Sequence, residues 1–121
     1  MINETLKKVL EYKYSNDEIV MKRIIEILFL AQECLNNNGL SSIEIRFTKR
    51  KDALGECTDN GDIILLQLDH VKYSDITLIK ETILHEIAHA LTSGEGHNIV
   101  WQAKALELGL SLNHIQRYKN L

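Results

Sequence analysis

Cysteine is scarce in this sequence and proline is absent. The two cysteines, Cys34 and Cys57, lie far apart and form no Cys-x-x-Cys pair, which argues against a disulfide scaffold or a thiolate zinc cluster. Both are predicted to be buried free thiols. No stretch rich in proline, glycine or serine marks a linker, and the composition of the 121 residues is that of a globular protein. We therefore expect one domain, residues 1–121.

Long hydrophobic runs and a strong excess of one charge are also missing. The longest apolar run, residues 24–31, is interrupted by Glu26 and is too short to span a bilayer. The N-terminus lacks the order of basic and then apolar residues found in signal peptides, so a cytoplasmic protein without a membrane segment is expected. A formal net charge of -3 argues against strong non-specific binding to nucleic acid.

Apolar residues recur at helical spacing in several parts of the chain. Residues 17–35 predict a long packing helix, and residues 4–14 predict a shorter one before it. The helical spacing returns from Ser74 to Ala90, and a last helix is expected to end near Gly109.

Three segments between these helices have the features of β-strands. Apolar and polar residues alternate over residues 43–48, which predicts the first strand. Residues 54–58 predict a weaker second strand and residues 63–68 a third, with turn-forming residues at 59–62 between them. We expect a hairpin within a small three-stranded sheet, and therefore an α+β fold.

The third predicted helix contains the sequence His85-Glu86-Ile87-Ala88-His89. Two histidines four positions apart lie on one face of a helix, close enough to bind one metal ion. In zinc proteases with this motif the glutamate is not a ligand but the base that acts on metal-bound water. We therefore predict that His85 and His89 bind Zn²⁺ and that Glu86 is the catalytic base.

A catalytic zinc site needs a third protein ligand and an open fourth position. His97 is our first choice, because Gly94 and Gly96 allow the chain to turn back toward the helix. Glu107, eighteen residues after His89, is the second choice. The longer metzincin pattern is excluded, because Thr92 and Glu95 stand where that pattern requires glycine and histidine.

These motifs resemble the SprT-like zinc proteases, which include the Spartan-type enzymes that degrade proteins crosslinked to DNA. The resemblance covers roughly residues 17–110 and is carried by Leu84-His-Glu-Ile-Ala-His-Ala90 and by Gly96-His97 followed by Trp101. Leu54-Gly-Glu-Cys57 before Gly61-Asp-Ile63 is similar to the family's hairpin. Many bacterial relatives continue into a zinc ribbon, and no paired cysteines of that kind occur here, so the likeness is to compact bacterial and phage versions.

The resemblance implies a zincin-like α+β fold in which His85, His89 and His97 bind zinc and Glu86 is the general base of peptide hydrolysis. It also implies a protein or peptide substrate and an indirect association with DNA-bound proteins. By analogy of fold, the strand over residues 63–68 is expected to present an edge that holds the substrate in extended form.

Three functions from different classes remain open: a zinc endopeptidase, a catalytically silent zinc-binding interaction module, and a globular domain without metal. Glu86 separates the first two, because a structural zinc site has little use for an acid there and is normally closed by a fourth ligand. Glu95 and Cys57 are the candidates for such a ligand.

Several further residues have weaker signals. His70 and His114 are expected to have surface or turn roles, Trp101 to pack behind the third ligand, and the basic run at 49–51 to be a solvated turn. A donor to the tetrahedral oxyanion is also expected. The residues with suitable chemistry are Tyr73, His70, His114, Arg117 and Tyr118.

Overall fold

The computed structural model of the protein describes residues 18–58 and 60–118. Its elements follow the predicted order of a long helix, three short strands and C-terminal helices. They are α1 (Glu18–Asn37), β1 (Glu44–Thr48), β2 (Gly55–Cys57), β3 (Ile63–Gln67), α2 (Leu68–Tyr73), α3 (Ile76–Leu91), α4 (Ile99–Glu107) and α5 (Leu112–Tyr118). The predicted α+β class is confirmed, and the short helix predicted over residues 4–14 lies outside the described residues.

The three strands form one sheet in the order β1-β3-β2. β2 and β3 are antiparallel and form the predicted hairpin, whereas β1 and β3 are parallel. The prediction that residues 63–68 present an edge is wrong, because β3 is the central strand and β2 is the edge strand that packs beside α3. The physical reason is the apolar run Ile63–Leu66, which suits a strand with a neighbour on each side and buries Ile64 and Leu66 completely.

The main core lies between the sheet and the two longest helices. The buried faces of α1 and α3 carry apolar residues three and four positions apart, which is why their helical spacing could be seen in the sequence. The fully buried aliphatic residues of these faces include Ile24, Ile27, Leu28, Ile79, Ile83 and Ile87.

A second, smaller core holds the C-terminal helices against α3. It consists of Ala88, Trp101, Ala105, Leu110 and Ile115. α4 ends two residues before Gly109, which has a positive φ of 100°, so the predicted end of that helix is confirmed. α5 was not predicted. Only His114 and Ile115 of its seven residues are buried, and two adjacent buried positions are too few to reveal a helical period.

Within the described part of the chain, none of the helices has the length and apolar character needed to cross a membrane.

Candidate active site

Helix α3 carries the His85-Glu86-x-x-His89 motif toward a cavity. Asp75 caps the helix by accepting a hydrogen bond from the Thr77 backbone N–H at 3.1 Å. The core face of the helix is fixed by Ile79, Ile83 and Ile87, and this orients the motif residues away from the main core. His85 and Glu86 are nevertheless buried, with 7% and 6% of their surface exposed.

His97 returns to this helix through a loop with two glycines in the left-handed region. Gly94 and Gly96 have φ values of 84° and 59°, conformations that L side chains rarely adopt. Asn98 then caps α4 by accepting hydrogen bonds from the N–H groups of residues 100 and 101. The Gln102 side-chain amide donates to the His97 carbonyl at 2.9 Å, which helps to hold the backbone of His97 in place.

The three predicted metal ligands lie together. Their Nε2 atoms are 3.1 Å apart for His85 and His97, 3.2 Å for His85 and His89, and 3.0 Å for His89 and His97. Nitrogens around a tetrahedral zinc ion with bonds of about 2.0–2.1 Å lie roughly 3.3 Å apart. The spacing of the three nitrogens therefore fits one zinc ion.

Hydrogen bonding alone cannot satisfy this triangle of nitrogens. Each pair needs one N–H donor and one lone-pair acceptor. Each of the three nitrogens is either a donor or an acceptor, so at least two of them have the same role and cannot hydrogen-bond to each other. Burial lowers the pKa of His85 to about 2 and that of His89 to about 4, so both rings are neutral at physiological pH. Neutral imidazoles with converging lone pairs are what a cation requires.

The alternative ligands lie elsewhere. Glu107 is exposed and pairs with Lys104 at 2.9 Å, and Glu95 is exposed and accepts a hydrogen bond from Asn98. Cys57 lines the cavity and is half-buried rather than buried as predicted, and burial raises the pKa of its thiol to about 11, which disfavours the thiolate that metals bind. Among residues 18–58 and 60–118, the cluster able to hold a metal consists of the three histidines.

Glu86 lies where α3 meets β2. Its carboxylate accepts a hydrogen bond from the Cys57 backbone N–H, which opposes the effects of burial and of the nearby Glu56 carboxylate on its pKa. Burial has the largest effect, and the pKa of Glu86 is raised to about 8. A carboxyl group with a pKa near neutrality can both take up and release a proton, as a general base must.

The cavity beside these residues has a volume of about 780 Å³. Residues 52–58 of the β2 segment form one wall, and the motif helix and the loop at 93–97 form the others. Of the five candidates for an oxyanion donor, His114 and Tyr118 line this cavity. Tyr73 is 71% exposed and lies outside its lining.

The prediction of surface or turn roles for His70 and His114 is wrong, because both lie in helices and only 4% and 5% of their surfaces are exposed. His70 is held between the Ser74 and Thr82 hydroxyls, at 2.7 and 2.8 Å. His114 contacts one of the three candidate ligands, with its Nε2 atom 2.9 Å from His85 Nδ1. The sequence contains no clear signal for this contact, because only His114 and Ile115 of α5 are buried and two positions do not reveal a helical period.

Comparison with known proteins identifies the family. Residues 25–119 match the model of the SprT-like family. The chain belongs to the SprT-like family. The search of curated proteins gave no match.

One solved structure that resembles this SprT-like domain is the metallopeptidase zymogen of Methanocaldococcus jannaschii, jannalysin. The TM-score is 0.62 at 23% identity, over 76% of this chain and 88% of that chain. The shared architecture is the predicted zincin-like α+β fold. Family and fold together support metallopeptidase activity.

Trp101 packs against the three candidate ligands, which include His97, the residue it was predicted to pack behind. It is completely buried, and its ring centre lies 4.7 Å from those of His85 and His97 and 5.4 Å from that of His89. Its indole N–H points to the His85 carbonyl at 3.5 Å. One rigid side chain therefore limits the movement of all three histidine rings.

The basic run at residues 49–51 includes two side chains that are paired with acids. Arg50 binds Asp52 and Glu56 at 2.6 and 3.0 Å, and Lys51 pairs with Asp69. This pairing is consistent with the predicted solvated turn.

Replacement of Gly55 by alanine is expected to destabilise the domain by about 1–3 kcal/mol, because overpacking forces neighbours to move. A Cβ atom at Gly55 would lie 2.8 Å from Thr82 Cγ2 and 3.2 Å from Glu86 Oε2. Urea unfolding would measure the loss. Thr82→Ser removes the crowded methyl group and keeps the hydroxyl, so it should restore much of the stability in the double variant. No recovery would contradict the steric explanation.

Proposed function

We propose that this SprT-like domain is a zinc-dependent endopeptidase in which Glu86 is the general base. The observation that carries the proposal is the convergence of three histidine Nε2 atoms within 3.0–3.2 Å of one another. They line the same cavity as the buried Glu86 carboxyl group. The motif alone would not require this arrangement, because the third histidine comes from a separate loop.

In this proposal His85, His89 and His97 hold the zinc ion, for which imidazole nitrogen is a suitable ligand. Zinc, when bound, lowers the pKa of a coordinated water and polarises the peptide carbonyl. Glu86 takes the proton from the water whose oxygen forms the new bond to the carbonyl carbon. Glu86 then delivers this proton to the amide nitrogen as the carbon–nitrogen bond breaks.

We further propose that the substrate binds in extended form along the free edge of β2. β2 has a strand neighbour on one side, and its residues line the cavity. Main-chain hydrogen bonds at a sheet edge bind extended peptides with little dependence on sequence. Methylation of single backbone nitrogens in a bound peptide tests this, since only alternate positions should weaken binding. Equal effects at all positions would contradict it.

The natural substrates are proposed to be cytoplasmic proteins associated with DNA, as the family resemblance implies. The domain itself has a net charge of -3, and Arg50 and Lys51 pair with acids, so recruitment through the protein part of the substrate is the simpler arrangement. Cleavage of one protein, measured free and crosslinked to DNA, compares recruitment through the protein with recruitment through the DNA. Cleavage that requires bare DNA as an activator would contradict recruitment through the protein part of the substrate.

Zinc content tests the proposed ligands. Protein purified without added metal is expected to contain about one zinc per chain, and His97→Ala should weaken zinc binding by more than the 10–100-fold typical of outer-shell residues. Glu107→Ala is the control, because this exposed carboxylate pairs with Lys104 and should leave zinc bound. Elemental analysis and chelator competition give both values.

Each other outcome favours a different metal site or a different function. Zinc kept by His97→Ala and lost by Glu107→Ala would replace the three-histidine site with the second choice of ligand. Stoichiometric zinc without hydrolysis of any protein would favour the silent interaction module. No zinc in the native protein, and no uptake on titration, would leave a globular domain without metal.

A further inference from the structure

Both ring nitrogens of His85 have histidine partners. Its Nε2 atom faces the nitrogens of His89 and His97, and its Nδ1 atom lies 2.9 Å from His114 Nε2. His114 Nδ1 in turn lies 3.5 Å from Glu81 Oε2. The three side chains form a line from the metal site to a partly exposed carboxylate.

The tautomers of His85 and His114 follow from the proposed binding of the metal through His85 Nε2. A histidine that binds metal through Nε2 must carry its proton on Nδ1, so His85 donates to His114 Nε2. His114 then carries its own proton on Nδ1, toward the Glu81 carboxylate. The opposite arrangement would put a hydrogen on His85 Nε2, among the nitrogens that converge on the ion. One set of tautomers therefore satisfies the line and leaves the ligand lone pair free.

The surrounding structure holds His114 in place. Ser111 Oγ accepts a hydrogen bond from the His114 backbone N–H at 3.1 Å, at the start of α5. The Tyr118 ring lies against both imidazoles, with centres 5.0 Å from that of His114 and 4.5 Å from that of His85. Glu81 is four residues before His85 and therefore lies on the same face of α3.

We propose that His114, oriented by Glu81, is a positioning residue that fixes His85 in the tautomer with the proton on Nδ1 and so strengthens metal binding. This inference rests on the proposed zinc site. Partners of this kind usually hold metal ligands through a carboxylate or a backbone carbonyl. In this domain a second histidine stands between the ligand and the carboxylate, and α5 supplies it.

The test compares two replacements of His114 in the full chain. His114→Phe fills a similar space without an acceptor, and His114→Asn offers an amide oxygen to His85 Nδ1. Zinc affinity, measured by competition with a chromophoric chelator, is expected to fall about 10–100-fold in His114→Phe and about 3-fold or less in His114→Asn. Glu81→Gln should have a smaller effect than His114→Phe, because the contact of Glu81 is longer and partly exposed.

Nuclear magnetic resonance of the native protein gives a second readout that does not depend on folding of the variants. The ¹⁵N shifts of metal-free protein should show His85 protonated at Nδ1, with slow hydrogen exchange. Protonation at Nε2, or equal zinc affinities in His114→Phe and native protein, would overturn the inference. These results differ from failure of the proposed function, in which the native protein itself would not bind zinc.

Discussion

Replacement of Glu86 by glutamine is expected to reduce peptide hydrolysis by about 10²–10⁴-fold, the usual contribution of a general base. The amide has the same shape as the carboxyl group but cannot accept a proton at neutral pH. Zinc content should not change, because the three histidine nitrogens converge without help from Glu86. Release of acid-soluble fragments from a zinc-loaded mixture with denatured casein measures the rate.

The fold should tolerate this substitution. Burial raises the pKa of Glu86 to about 8, so the site favours an uncharged side chain, and the amide oxygen can still accept from the Cys57 N–H. Glu107→Gln is the matched control, since it makes the same chemical change at an exposed position. A Glu86→Gln protein that retained native hydrolysis with native zinc content would exclude Glu86 as the base.

Replacement of Trp101 by alanine is expected to cost about 3–5 kcal/mol of unfolding free energy, the range found for large aromatic residues in cores. Trp101 is completely buried and belongs to the small C-terminal core. The loss is a large part of the roughly 5–15 kcal/mol available to a domain. Denaturant unfolding of metal-free protein measures this loss without a contribution from zinc.

Two further variants separate packing from support of the ligands. Val100→Ala changes a neighbouring exposed side chain and should alter stability by about 0.5 kcal/mol or less. Trp101→Phe keeps an aromatic ring behind the histidines and should retain more zinc affinity than Trp101→Ala. A Trp101→Ala protein with native stability and native zinc affinity would show that this residue does not support the site.

The sequence predicted most of the fold because its helices and strands bury one face. α1 and α3 show this as helical spacing, and the motif within α3 predicted two of the proposed ligands and the proposed base. His97 could be chosen because Gly94 and Gly96 predicted a turn before it. The order of the strands could not be predicted, because strand pairing depends on contacts between distant residues.

The missed features share a physical cause. α5 has two buried residues and no period, so neither the helix nor the burial of His114 could be read from its pattern. The close approach of Gly55 to Glu86 also joins residues distant in sequence, and a glycine alone does not reveal what it approaches. The line from His85 through His114 to Glu81 depends on the packing of α5 against α3, which joins residues distant in sequence.

The division of the interior into a large and a small core means that the proposed zinc ion would contribute to folding as well as to chemistry. His85 and His97 are twelve positions apart, so an ion that joins them closes a short loop beside the small core. Binding energy at such a site is also folding energy, and we expect the small core around Trp101 to depend on it most. Removal of zinc should therefore speed hydrogen exchange in α4 and α5 before α1 and the sheet are affected.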